Sequence, residues 1–322
     1  MVREAAFLEL PNCRELTNDT VEVVVTTDIG PRILHYGFRG AENILGLCPP
    51  GAKVATELGD WRPIGGHRLW TAPEAIPRSY VPDSGPVRCE KLSDFAVRLV
   101  QPVEAPTGIQ KEMTVTLDPA GAGVTVLHRI TNKGAWGIEV APWALTIMNG
   151  GGTVIIPQEP FRSHDDCLLP ARPMVLWRYT DLSDPRFTLG PKYLRLRTDD
   201  SLAEPQKIGV ADKQGWAAYL RQGTLFVKQF PYKDGQTYPD CGCNCESYTA
   251  GSFIELESLG PMRRLESGQS AEHTEEWHLF ENVEIGDTEE SLDRTMCGYI
   301  RGIKDVVCIG AAIAPPHEEK PC

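Results

Sequence analysis

The chain has 322 residues, of which 32 are Lys or Arg and 44 are Asp or Glu, giving a formal net charge of −12 at pH 7. That balance argues against a broad nucleic-acid or anionic-membrane surface, because both would repel it. Hydrophobic residues make up 41% of the chain, enough at this length to bury a large core without disulfides or metals. The 30 Gly and 26 Pro are scattered, which demands many turns and favours short strands over long helices.

Met1 to Leu10 lack the apolar stretch of a secretion signal. The longest apolar run, Val306 to Ala314, is about half of what a bilayer requires. The expectation is a cytoplasmic protein that keeps its ten Cys as thiols.

Val21 to Thr27 is β-branched and reads as a strand, Asp28 to Pro31 as a turn, and Arg32 to Phe38 as the partner strand. Residues 48–66, rich in Pro and Gly around Trp61, read as a long loop of the kind that often carries function. Short strands are predicted at 87–92, 95–101, 108–118, 123–132, 137–148, 153–157, 175–179, 193–197, 207–210, 216–220, 224–230, 252–258 and 273–280. The segments around Gly121 and Gly134 serve as hairpin connectors. One helix is predicted at about 288–303: Asp287-Thr-Glu-Glu290 has the form of a capping box, and Leu292, Met296, Tyr299, Ile300 and Ile303 recur at helical spacing. The polar, Pro-rich tail at 309–322 is expected to fray. No internal repeat is present. Many short strands and one late helix predict an all-β chain, antiparallel and closed or sandwiched, as one domain over 1–322.

Four segments in order resemble one family. Thr27-Asp-Ile-Gly-Pro-Arg-Ile-Leu34 with Glu42-Asn-Ile-Leu45 resembles the opening hairpin of the aldose 1-epimerase (galactose mutarotase-like) superfamily. Gly66-His-Arg-Leu-Trp70 resembles that family's pocket cluster, Phe253-Ile-Glu-Leu-Glu-Ser258 the late strand carrying its general base, and Leu265-Glu-Ser-Gly-Gln-Ser270 the turn before its last strands. The resemblance spans about residues 20–280. It implies a galactose mutarotase-like β-supersandwich, here with the predicted C-terminal helix, and a concave site for a small-molecule carbohydrate whose chemistry needs no cofactor.

Mutarotation needs a base at the anomeric hydroxyl and an acid at the ring oxygen. His suits the acid, with an ordinary pKa of about 6.5, and a partly buried carboxylate suits the base. The resemblance makes Glu257 the base and His67 the acid. Strand alternation places Glu255 and Glu257 on one face, which is either a polar concave surface or a solvated outer one. His67 lies beside Arg68, a hydrogen-bond donor, and Trp70, an apolar face for a sugar ring; the bland alternative is a loop His bonded to backbone. Trp143, in Ala141-Pro-Trp-Ala-Leu-Thr-Ile-Met148, stands roughly where the family carries a second His. That departure leaves two readings open: an isomerase interconverting sugar anomers, or a non-catalytic carbohydrate-binding protein of the same fold.

The polar, aromatic stretch from Phe226 to Tyr248 precedes the Glu257 strand, so a hairpin could bring Lys228, Asp240, Asn244 and Glu246 to the same mouth, or leave a buried Lys–Glu pair beneath a surface loop. Arg32 either faces an anionic sugar substituent or pairs with Asp28. Cys241-Gly-Cys-Asn-Cys245 supplies three soft ligands but no paired motif, so no structural metal is expected. As a strand it would put all three sulfurs on one face.

Overall fold

The computed structural model describes residues 1–286 and 288–303. Among them the strands run β1 (Val2–Phe7), β2 (Leu10–Thr17), β3 (Val21–Thr26), β4 (Arg32–Phe38), β5 (Val54–Thr56), β6 (Gly59–Trp61), β7 (His67–Ala72) and β8 (Arg88–Ser93). They continue as β9 (Ala96–Val100), β10 (Ile109–Leu117), β11 (Val124–Asn132), β12 (Ile138–Met148), β13 (Thr153–Pro157), β14 (Met174–Leu176), β15 (Phe187–Leu189) and β16 (Tyr193–Arg197). The last are β17 (Gln206–Val210), β18 (Trp216–Arg221), β19 (Thr224–Gln229), β20 (Cys245–Ala250), β21 (Phe253–Leu259), β22 (Arg263–Leu265) and β23 (Ser270–Phe280), followed by helix α1 (Glu289–Gly302).

Two large antiparallel sheets form a sandwich, as expected. The first orders its strands β1-β2-β3-β4-β7-β12-β21-β20-β17-β14, with β22 also paired to β12; the second orders them β15-β16-β13-β18-β19-β23-β11-β10-β9-β8. The main core lies between the sheets and draws on both, from Leu16, Val23 and Ile33 to Val126, Phe226 and Trp277. Strands such as β11 alternate buried and half-buried residues, with one face on the core. The six residues of β7 are all buried, as are the last nine of β12, because the centre of the first sheet is covered on both faces.

The 48–66 segment is not a plain loop, since β5 and β6 pair within it as a small hairpin. The sequence reading also lacks β1, β2, β7, β15, β20 and β22. β1 and β2 carry several charged, exposed residues at a sheet edge, and β7 and β20 mix buried polar with apolar side chains, so neither pair shows clean alternation.

Helix α1 covers the outer face of the second sheet. Leu292, Met296 and Ile300 pack with Ile303 on Ile155, Tyr193, Trp216 and Val227. Its N-cap is Thr288, whose side chain accepts from the Ser291 N–H; Asp287, the expected cap, lies outside the described residues, as does the 309–322 tail. No helix of the described residues is long and apolar enough to cross a membrane.

Candidate functional site

The middle of the first sheet carries two polar systems back to back. β12 lies between β7 and β21, with Leu145 paired to Arg68 and to Glu257, and Thr146 paired to His67 and to Leu256. Successive side chains on a strand point to opposite faces. Trp143, Leu145 and Ile147 therefore look outward with Arg68, Trp70 and Glu255, while Thr146 looks inward with His67.

The outward face holds a cavity of about 1000 Å³. One end is aromatic. Trp70 meets Trp61, Tyr80 and Trp143 edge to face, with centroid separations of 5.0, 4.8 and 5.4 Å. Arg68 lies over the Trp70 ring at 4.6 Å and over Trp61 at 5.4 Å, and its Nη2 donates to Glu255 Oε1 at 3.1 Å. Among the described residues its Nε and Nη1 have no hydrogen-bond partner. Lys207 also lines the cavity; its Nζ sits 4.8 Å from the Trp143 ring centre and 4.6 Å from that of Trp177. It pairs with Glu246 at 2.7 Å and Glu257 at 3.2 Å.

Electrostatics divide these groups. Burial alone would lower the Lys207 ammonium, but Glu257 and Glu246 beside it raise it well above its usual range. Burial pushes Glu246 well up, and burial also pushes Glu255 up against the pull of Arg68. Glu255 is the one of these carboxyls that lines the cavity. Glu257 has no exposed surface: its Oε2 accepts from the Trp143 indole at 2.7 Å and from Lys207.

The expected acid–base pair is thus not assembled across the cavity. His67 is fully buried on the inward face, and Glu257 is sealed beneath Trp143 and Lys207. Lys228, expected at the mouth, is also interior: its Nζ bonds Thr146 Oγ1 at 2.6 Å, the Leu256 carbonyl at 2.9 Å and Glu275 at 2.9 Å. Asp240 sits on the turn before β20, outside the cavity walls. Asn244 is buried, exchanging bonds with the Asp212 backbone. Arg32 is buried and pairs with Asp83 at 2.7 Å, while Asp28 accepts from Asn12 instead. Of the expected site residues the structure brings Arg68, Trp70 and Trp143 to the cavity, with Glu246 behind Lys207. The sequence reading missed Lys207, which stands in no motif, and Tyr80, Tyr179 and Tyr248, which also line the walls. Glu255 was legible as the same-face neighbour of Glu257.

Gly66 is what allows β7 to enter this position. Its φ is +67°, and a Cβ there would lie 2.1 Å from the Ile33 carbonyl oxygen.

The inward network resolves into a directed chain. His128 Nδ1 lies 2.9 Å from the His273 carbonyl, which can only accept, so His128 carries its proton there. Its Nε2 then accepts from His67 Nε2 at 2.7 Å, and His67 Nδ1 accepts from Thr146 at 2.8 Å. Glu275 takes bonds from Ser258 at 2.6 Å and Trp277 at 2.8 Å, besides the Lys228 pair. Burial lowers the pKa of His67, His128 and His273, the last to about 3. His67, His128 and Glu275 place ligand atoms within 4.8 Å of one another. Two nitrogens on a tetrahedral zinc stand about 3.3 Å apart, however, and the 2.7 Å contact is instead that of a hydrogen bond. Cys241 and Cys243 lie in the turn before β20, and Cys245 alone of the three is in the strand. Cys245 joins the main core and Cys243 packs against Gly209, so the sulfurs do not share one strand face.

Among solved structures, the fold is similar to that of a galactose mutarotase-like protein from Lactobacillus casei, 12% identical with a TM-score of 0.54 over 84% of this chain and 100% of that one. A galactose mutarotase-like protein from Clostridium acetobutylicum is 10% identical with a TM-score of 0.55, over 87% and 98%. A galactose mutarotase related enzyme from Lactobacillus acidophilus is 10% identical with a TM-score of 0.50, over 84% and 98%. At such identities the likeness establishes the fold, which is galactose mutarotase-like. No protein-family model and no curated protein matches the sequence.

Proposed function

We propose that the outward cavity binds a carbohydrate, with a sugar ring against the Trp70–Trp143 corner and its hydroxyls on Arg68, Glu255 and Lys207. One juxtaposition carries this reading: a continuous aromatic cluster shares a cavity with an Arg–Glu pair and an ammonium held between two indoles. Sugars offer apolar C–H faces for aromatic rings and hydroxyls that exchange bonds with charged groups, and this wall has both. The galactose mutarotase-like fold supports a sugar over other small ligands of mixed polarity. Among the described residues no His lines the cavity, which favours binding without anomer interconversion.

A second reading rests on Glu255. Burial raises its pKa towards the range where a carboxyl can both give and take a proton, and it faces the cavity. Calorimetric titration of a hexose panel into the wild type and Arg68→Ala tests the first reading: a hexose that binds the wild type and is lost from a folded Arg68→Ala supports it, and a panel that never binds defeats it. Polarimetry on the same sugars tests the second. Accelerated anomer exchange that falls about 10²- to 10⁴-fold in Glu255→Gln would make the protein an isomerase.

A further inference from the structure

We infer that the cavity accommodates an oligosaccharide rather than a single sugar ring. The inference rests on the carbohydrate reading of the same cavity and extends it to the class of ligand. Two aromatic surfaces stand toward opposite ends of the space, with Tyr179 also on its walls. The first is the Trp70–Trp143 corner. The second is Phe253, which packs on Tyr248 with ring centroids 5.9 Å apart.

Strand register measures the gap between them. Trp143 is paired with Leu259 of β21, and Phe253 opens that strand at its other end. Phe253 and Leu259 lie an even number of positions apart, at the two ends of the seven-residue β21, so both face outward. At about 3.4 Å per residue the backbones at Trp143 and Phe253 stand about 20 Å apart along the strand, and Tyr248, paired with Glu255 in the row of Ile147, stands about 14 Å along from Trp143. No single pyranose ring reaches from Trp143 to Phe253. The floor between them is laid by Leu145 and Ile147, with Glu255 beside them, and a volume of about 1000 Å³ sits at the top of the range for small-molecule sites.

The far end also has polar groups of its own. Arg221 lines it with its guanidinium fixed, Nε donating to the Gly150 carbonyl at 2.6 Å and Nη1 to Glu42 at 2.5 Å. Asp200 lines it as well. Each end therefore pairs an aromatic face with charged hydrogen-bonding groups, the combination one sugar unit needs, and the cavity holds it twice.

The test is calorimetric titration with mono- to pentasaccharide ladders of the maltose, cellobiose and chitobiose series. For a ladder that binds, affinity is expected to rise about tenfold or more from mono- to trisaccharide and to level off once the cavity is filled. Phe253→Ala is expected to shrink the ratio of trisaccharide to monosaccharide affinity. That ratio is taken within each variant, so a change in the folded fraction cancels. A monosaccharide that binds as tightly as its trisaccharide overturns the inference and leaves the carbohydrate reading standing. A length gain that survives in both Phe253→Ala and Tyr248→Ala also overturns it. If no sugar of any length binds, the carbohydrate reading falls and takes this inference with it.

Discussion

The indole N–H of Trp143 lies 2.7 Å from Oε2 of Glu257, joining β12 diagonally to β21 and closing the carboxylate off from the cavity. The same oxygen also receives Lys207. Trp143→Phe keeps most of the ring and removes one donor to a charged acceptor, which is expected to destabilise the fold by about 1.5–3 kcal/mol. Urea unfolding followed by circular dichroism checks this; an unchanged midpoint would mean the indole bond contributes nothing.

Lys207 is the cation between two buried carboxyls. Lys207→Met leaves Glu246 and Glu257 buried without it, and the expected cost is about 3–5 kcal/mol. Adding Glu246→Gln removes one of the two carboxyls left buried without the lysine, so the double variant should be more stable than Lys207→Met alone. A double variant that is less stable still would show that the pairing is not what the lysine provides.

The three inward imidazoles set a pH dependence. His67, His128 and His273 have folded pKa values lowered by burial, whereas unfolded His titrates near 6.5. Below about pH 6.5 these three groups bind more protons in the unfolded chain than in the folded one, so their contribution to stability falls as pH drops, by up to about 1.4 kcal/mol per pH unit for each group. Burial would raise Glu275, but Lys228 and the three His hold it below its usual range, so its contribution is lost at still lower pH. Over the same range the buried carboxyls of Asp212, Glu246 and Glu255, whose pKa values burial raises, favour the fold as pH drops, so the His contribution is read as a fall in melting temperature below about pH 6.5 in the wild type relative to His67→Gln. Nitrogen-15 spectra at pH 6 should show His128 neutral with its proton on Nδ1 and His67 neutral with its proton on Nε2. A charged His67 at that pH contradicts the directed chain.

Gly66 and Gly40 have nearly the same φ, +67° and +71°, in different surroundings. Among the described residues a Cβ at Gly40 meets nothing within 4 Å, whereas one at Gly66 runs into the Ile33 carbonyl. Gly40→Ala should therefore cost only the strain of a left-handed residue, about 1–2 kcal/mol. Gly66→Ala must also push β7 off β4, and soluble yield and melting temperature should fall much further. Equal losses in the two variants would show that crowding at Ile33 is unimportant.

The strands from Val124 to Pro157 were legible because each shows β-branched residues bounded by turns, and the late helix because its apolar positions keep a helical period. The site was legible in composition and not in depth. Alternation along Phe253–Leu259 gives Glu255 and Glu257 a common face, but nothing in that strand says that Trp143 and Lys207, from strands on either side, would cover one carboxyl and leave the other open. The same rule, applied across the Gly66–Trp70 motif, separates His67 from Arg68 onto opposite faces. With no strand assigned across that motif the separation stayed hidden, because β7 mixes polar with apolar residues, all of them buried, and shows no alternation.

β12 works as a partition one residue thick. Its odd-numbered side chains from Trp143 to Ile147 furnish a chamber open to solvent, and its even-numbered Thr146 anchors a dry relay of imidazoles. Deleting one residue near Val140 would exchange the tenants of the two compartments, sending indole and leucine inward and a hydroxyl out. The tolerance of this strand to insertion and deletion is therefore far narrower than its tolerance to substitution, and cavity and core are bound to change together.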